Sequence, residues 1–208
     1  AKAAAQGFAA AQFALGEAYE QGNGVGQDFH EAVRWYRAAA EQGHAGAQCN
    51  LGSCYDYGAG VERDAAQAVE WYRRAAAQGL AQAQCYLGIC YEQGVGVARD
   101  EKEAVRWYTK AADSGNSQAQ CNLGLCYYRG TGVRQSYKRA VDWYEKAAAQ
   151  DNARAQYNLG VCYAYGHGVR KDYHTAANWF RRAANQGLTD AQCNLATCYE
   201  LGWGVPRD

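Results

Sequence analysis

Tryptophan returns along this chain at a constant step. Trp35, Trp71, Trp107, Trp143 and Trp179 lie 36 residues apart, and each is followed by an aromatic residue. A Gly-x-Gly-Val turn keeps the same step, starting at Gly22, Gly58, Gly94, Gly130, Gly166 and Gly202. A fixed period of this length marks an array of stacked units. No single unit can cover its own apolar face, so neighbours share one elongated core. The whole chain, 1–208, is therefore expected to be a single repeat array, and domain arithmetic based on length does not apply.

Lysine plus arginine equals aspartate plus glutamate at 21 each. The basic footprint of a nucleic-acid-binding protein is missing, and there is no polybasic segment suited to a membrane surface. No apolar run approaches the ~20 residues of a membrane-spanning helix. The expected partners are therefore protein or peptide, not nucleic acid or membrane. Both ends cut through the repeat. Ala1–Gly7 matches the helix end at Arg74–Gly79, and the chain stops at Asp208, where another helix should begin. Without polar capping units, which such arrays use for solubility, the chain is expected to be an excerpt of a longer one. It would comprise five complete repeats with partial ones at both ends.

Residues 45–79 show the plan of one unit. Ala47, Leu51, Cys54 and Tyr55 follow helical spacing on one face. Gly58-Ala59-Gly60-Val61 ends that helix, since glycine accepts positive φ at a C-cap. Asp64 with Gln67 three residues on has the form of an N-cap with a capping box, repeated at Asp28/Glu31 and Asp100/Glu103. Ala68, Trp71, Tyr72, Ala75 and Ala76 define a second helical face, which Gln78-Gly79 terminates. Gly52, Ala68 and Ala75 leave room for close helix approach while Leu51, Trp71 and Tyr72 fill the space. The Trp-Tyr pairs are expected to be core, each large side chain stabilising by about 1.5–3 kcal/mol on burial.

The pattern Ala-Gln-x-Asn-Leu-Gly-x-x-Tyr, Gly-x-Gly-Val, Ala-Val-x-Trp-Tyr-x-x-Ala-Ala resembles the Sel-one-like repeat (SLR) family, related to the tetratricopeptide repeats. The match runs over essentially the whole chain, with six first helices, five complete second helices and one helix remnant. The resemblance implies an all-α fold: an α-solenoid of antiparallel helix pairs forming a right-handed superhelix, with first helices on the concave side. It also implies a scaffold or adaptor for other proteins, with no catalytic centre in the repeat.

If first helices line a groove, a second stripe on each should face it. One position of that stripe runs Asn50, Tyr86, Asn122, Asn158 and Asn194. Asparagine offers a donor and an acceptor, so a ladder of them could hold an extended peptide backbone; peptide-binding tetratricopeptide proteins use groove asparagines comparably. The same asparagines could instead bond neighbouring helices, and the sequence leaves both readings open. The next position is more variable: Ser53, Ile89, Leu125, Val161 and Thr197. An apolar centre at Ile89, Leu125 and Val161, rimmed by Tyr57, Tyr128 and Tyr165, would set side-chain preference. Glu17, Glu20 and Asp56 make one end acidic, suited to a basic partner segment.

Nine cysteines complete the pattern. Cys49/Cys54, Cys85/Cys90, Cys121/Cys126 and Cys193/Cys198 are each five apart, and Tyr157 stands where Cys162 would have its mate. Residues five apart on a helix are separated by roughly 140° and ~8.6 Å, beyond disulfide reach. Secreted cysteine-rich members of the resembled family carry a second cysteine eight residues upstream. Here those positions hold Glu41, Ala77, Asp113 and Asn185, which leaves a secreted hydrolase-like or cell-wall-ligand-binding member as the lesser alternative that the resemblance implies. Zinc spacing is also absent, and no metal or cofactor is expected. Cys54 and its equivalents are expected in the core, and Cys49 and its equivalents at the groove edge, more exposed and potentially reactive. Unbridgeable thiols lean towards a reducing compartment.

No acid, base and nucleophile converge in the sequence, so an enzyme is not expected. His30, His44, His167 and His174 are read as sharing no repeat position, and His167, in a turn, and His174, in the first turn of a helix, look like solvated surface residues. The Gly-x-Gly-Val turns follow helices and lack the lysine of a phosphate loop. The expected function is a protein-interaction scaffold binding an extended peptide or partner along the groove. The alternative is a structural array that self-associates end to end.

Overall fold

The structure, a computed structural model, describes Ala4 and residues 7–207. The helix remnant expected at Ala1–Gly7 therefore falls largely outside the described residues. Eleven helices and no strands are present among them. First helices are α1 (Ala9–Gln21), α3 (Ala45–Tyr57), α5 (Ala81–Gln93), α7 (Ser117–Arg129), α9 (Ala153–Tyr165) and α11 (Thr189–Leu201). Second helices are α2 (Phe29–Glu41), α4 (Ala65–Ala77), α6 (Glu101–Asp113), α8 (Tyr137–Ala148) and α10 (Tyr173–Asn185). Each helix occupies its place in the 36-residue period, and consecutive helices pack in pairs: α1 on α2, α2 on α3, α3 on α4, and so on within each unit. The chain divides into two compact units, Ala1–Trp107 and Tyr108–Asp208. The fold class is the helix-pair solenoid that the period predicts.

Local chemistry sets the helix ends. Gly58 caps α3 at φ 72, and its N–H donates to the Cys54 carbonyl. The second glycine of the turn has a separate cause. A Cβ on Gly60 would collide with the Phe29 carbonyl at the start of α2, one repeat earlier. The turn is thus a contact between repeats as well as a helix stop. Asp64 caps α4 by accepting from the N–H groups of Ala66 and Gln67. The reciprocal half of the expected capping box does not form. The Asp64 N–H donates instead to the Tyr55 carbonyl at 2.9 Å, and Asp28, Asp100, Ser136 and Asp172 make the same bond to Tyr19, Tyr91, Tyr127 and Tyr163. This ties each loop to its first helix, leaving Glu31 and Glu103 to pair with Arg34 and Arg106.

The core lies between helices of successive repeats. In unit one, Ala32, Val33, Tyr36, Ala39, Ala40, Ala47, Leu51, Cys54 and Trp71 form one cluster. Gly52 lets α4 approach: a Cβ there would lie 2.7 Å from Tyr72 Cε1, and Gly124 and Gly160 meet Tyr144 and Phe180 in the same way. The Trp-Tyr pairs are core, but unequally. Tyr36, Tyr72, Tyr108 and Tyr144 are at most 1 % exposed, whereas Trp35, Trp107, Trp143 and Trp179 are half-buried. The cause is direction. The tyrosine inserts against the small residue of its own first helix, while the indole lies nearer the surface, with a cation over its ring. Arg34 covers Trp35, Arg74 Trp71, Lys146 Trp143 and Arg182 Trp179.

Candidate functional site

In unit one, the first-helix face is built around buried tyrosines whose hydroxyls emerge beside it. The Tyr36 hydroxyl donates to Glu20 Oε2, with the Asn50 side chain beside it. Burial, then the bonded Glu20 carboxylate, pushes the Tyr36 hydroxyl well above the usual phenol range. Ser53 Oγ lies 3.2 Å from the Tyr72 hydroxyl. Tyr86 stacks obliquely on Tyr72 with ring centroids 5.1 Å apart. Ile89 is half-buried, and Tyr57 projects with 77 % of its surface exposed. Asp56 adds negative charge near Tyr72, as Glu17 and Glu20 do near Tyr36.

In unit two, Asn122, Leu125, Tyr128, Asn158, Val161 and Asn194 are all half-buried. Asn158 Nδ2 donates to Cys121 Sγ at 3.9 Å, and Asn194 Nδ2 to the Tyr157 hydroxyl at 3.5 Å. Each reaches back 37 residues, to the cysteine position of the preceding repeat. Of the two roles open to the asparagines, helix-to-helix bonding is present at these positions. Both bonds are long and use only the amino group.

Tyr128 and Tyr165 meet at His167. The Tyr128 hydroxyl is 2.8 Å from His167 Nδ1, and the imidazole stacks on Tyr137 (4.5 Å, 9°) and Tyr165 (5.7 Å, 22°). His167 is thus wedged among rings, contrary to its expected place as a solvated surface residue. A second correction concerns His30 and His174. They lie 144 residues apart, four full periods, and do share a repeat position. Each places Nδ1 3.0 Å from the carbonyl of the second turn glycine one repeat on, Gly60 or Gly204. Tyr165 and Asn194 also line one cavity of about 120 Å³ with Ala164, Lys171, Tyr173, Phe180, Thr197, Cys198 and Trp203.

The cysteines depart from expectation in one respect. Cys54, Cys90, Cys126, Cys162 and Cys198 are buried, as expected. Cys49, Cys85 and Cys121 are buried too, at no more than 3 % exposure. A first helix is covered on two sides, by its own second helix and by the following repeat, so a turn of 140° does not bring a side chain into the open. Cys49 accordingly sits in the cluster made by α4 and α5. Burial pushes its thiol up to about 12 and that of Cys121 to about 11, which leaves both protonated and unreactive near neutrality. Cys193, on α11, is exposed. All nine thiols are free, and no cluster of three or more metal-ligating side chains occurs among the described residues.

One recurring polar feature escaped sequence reasoning. Gln48 is buried in α3, where its Nε2 donates to the Ala40 carbonyl (3.1 Å) and its Oε1 accepts from Gln78 Nε2 (2.8 Å). Gln150 bonds Gln120 and Gln186 bonds Gln156 in the same way. The relay joins the end of one second helix, the next first helix and the end of its partner. The signal was visible: an Ala-Gln pair at 47–48, 83–84, 119–120 and 155–156, one residue beyond the apolar alanine.

The Sel1 repeat model matches residues 9–44, 45–80, 81–116, 117–152, 153–188 and 189–208. The chain is similar to a protective antigen of uropathogenic Escherichia coli strains displaying an SLR fold: 42 % identity over all of this chain and 44 % of that one, TM-score 0.91. It thus spans under half the length of that protein. It is also similar to a Sel1 repeat protein from Oxalobacter formigenes, with 38 % identity over 98 % of this chain and 82 % of that one (TM-score 0.92). An immunity protein from Pseudomonas aeruginosa is 25 % identical over 92 % of this chain and 70 % of its own (TM-score 0.61). No curated protein matches. Six consecutive family units and these neighbours place the chain in the Sel1 repeat family, a relative of the tetratricopeptide repeats whose members generally act as protein-interaction scaffolds.

Proposed function

We propose that the chain is a protein-binding scaffold whose first-helix faces hold an extended segment of a partner protein. The observation that carries this is the pair Tyr57 and Tyr165. They occupy the same repeat position three periods apart, one in each unit, and are 77 % and 68 % exposed. Stacking does not call for an aromatic there, since Gln93 and Arg129 serve at the same position. Large exposed aromatics are the usual anchors of recognition surfaces. Around them, Asn50, Tyr86, Ile89, Asn122, Leu125, Tyr128, Asn158, Val161 and Asn194 are half-exposed and chemically varied, as a surface that selects a partner requires. Asn158 and Asn194 keep an amide oxygen with no bond among the described residues, an acceptor for a peptide N–H.

A photo-crosslinking residue at position 57 or 165, set against one at Glu70 on a second helix, tests the assignment. Capture of the same protein from 57 and 165 but not from 70 is expected. Tyr165→Ala should weaken capture from position 57, and Tyr57→Ala capture from position 165, without changing the unfolding curve. Capture from position 70 alone would refute the assignment. Loss of binding in Asn122→Ala/Asn158→Ala further tests the asparagine ladder.

A further inference from the structure

The formal charge of zero conceals an asymmetry. Residues 1–107 carry nine lysines and arginines against thirteen aspartates and glutamates, whereas 108–208 carry twelve against eight. The cavity lined by Tyr165, Tyr173, Trp203, Lys171 and Asn194 lies wholly in this second, cationic half.

Its walls go beyond what the repeat demands. Tyr173 and Trp203 stack with centroids 4.7 Å apart and planes at 19°, and the Lys171 ammonium lies 4.5 Å from the centre of the Tyr173 ring. At the two matching positions the other repeats have Phe29 and Ala59, Ala65 and Val95, Glu101 and Thr131, and Tyr137 and His167. Tyr137 stacks on His167 as Tyr173 does on Trp203, so the aromatic pair belongs to these two turns of the second half and is not demanded by the fold. A volume of about 120 Å³ is several times the ~30 Å³ share of a water molecule and well below the ~300–1,000 Å³ of small-molecule sites. It suits one large side chain.

The polar groups define what surrounds that side chain. Arg170 and Lys171 are exposed and make no ion pair among the described residues. The adjacent Asp172 is committed to capping α10, accepting from the His174 N–H (2.9 Å), the Thr175 N–H (3.3 Å) and Thr175 Oγ1 (2.6 Å). Asn194 gives Nδ2 to Tyr157 and retains Oδ1 for a backbone N–H.

We propose that this cavity is a subsite for a large apolar side chain, aromatic or aliphatic, within an acidic segment of the partner protein. The aromatic wall receives the side chain, Lys171 and Arg170 meet flanking carboxylates, and Asn194 accepts from the segment's backbone. The proposal rests on the first-helix face being the binding surface and adds the chemistry of what binds.

Three blocked peptides serve as probes in calorimetry with the full chain: one phenylalanine flanked by glutamates, the same with alanine for phenylalanine, and the phenylalanine flanked by lysines. The first is expected to bind at least about ten-fold more tightly than either control, and more weakly as salt rises from about 50 to about 500 mM. Lys171→Glu and Trp203→Ala, both exposed, should each cost about ten-fold with the circular dichroism unchanged. Equal affinities for the three peptides, or an acidic probe indifferent to both variants, overturns the proposal. Partner capture at positions 57 and 165 that survives Lys171→Glu and Trp203→Ala would also overturn it, leaving the first-helix surface standing. Salt-sensitive self-association in sedimentation velocity, lost in Lys171→Glu, would give the cavity to a second copy and overturn it as well.

Discussion

Gln48→Ala puts a magnitude on the polar relay between repeats. The side chain is 5 % exposed and makes two hydrogen bonds, to the Ala40 carbonyl and from Gln78. Each bond contributes about 1 kcal/mol net, and losing the buried Cγ methylene removes about 0.8 kcal/mol more. The Ala40 carbonyl still accepts from the Gly43 N–H at 2.9 Å, so no full penalty for an orphaned buried group is added. The sum is about 3 kcal/mol. Gln48→Met, which keeps the volume and removes both bonds, should cost about 2 kcal/mol. Repeat arrays unfold in segments, so urea titration is best combined with hydrogen exchange on amides of α2 to α4. A double-mutant cycle with Gln78→Ala should give a coupling of about 1 kcal/mol. Gln120 with Gln150 makes the same pair in unit two and serves as an internal repeat of the measurement. A loss below about 1 kcal/mol in Gln48→Ala with no coupling to Gln78 would show that the relay contributes nothing to stacking.

Other expectations follow from the same packing. Gly52→Ala should destabilise by about 1–2 kcal/mol in urea titration, because overpacking against the buried Tyr72 ring exceeds the helix propensity gained; a stabilised variant would contradict this. Asp151 holds φ 57 where Gly43, Gly79, Gly115 and Gly187 stand in other repeats. Asp151→Gly should raise stability by about 0.5–1 kcal/mol, read as a higher urea midpoint. Native thiol titration should find one fast cysteine, Cys193, and eight slow ones; rapid labelling of Cys49 would contradict its burial. Burial raises the folded thiols of Cys49, Cys54 and Cys162 to about 12 and those of Cys90 and Cys121 to about 11, from 9.0. The unfolded chain then loses protons first, so these thiols leave stability unaffected below pH 9. Above it, each removes about 1.4 kcal/mol per pH unit until its folded value is reached. Urea midpoints should fall steeply between pH 9 and 11, and less so when Cys49 and Cys121 are replaced by alanine.

The period, the helix pairs, their ends and the small-against-large core were legible in the residues because stacking reuses the same local chemistry every 36 positions. Glycine at 58 and aspartate at 64 act on their own neighbours, so no tertiary information is needed to read them. The first-helix stripe was legible as a list of positions, since helical spacing alone assigns residues to faces.

What only the tertiary structure decided is how many sides of a first helix are covered. Spacing places Cys49 about 140° from Cys54 but cannot say that the following repeat closes over it, and so it was expected at the groove edge. Packing on the neighbouring second helices buries Gln48, contact with the preceding repeat draws Asn158 and Asn194 back onto it, and insertion against their own first helices sinks the tyrosines deeper than the tryptophans. The contacts of His167 with Tyr128 and Tyr137, and of Trp203 with Tyr173 beside the cavity, join residues about 30 to 40 apart. Sequence determines a repeat's own geometry because its causes lie within a few residues. The surface between repeats depends on how one unit's side chains meet the next, and that is fixed only when they pack.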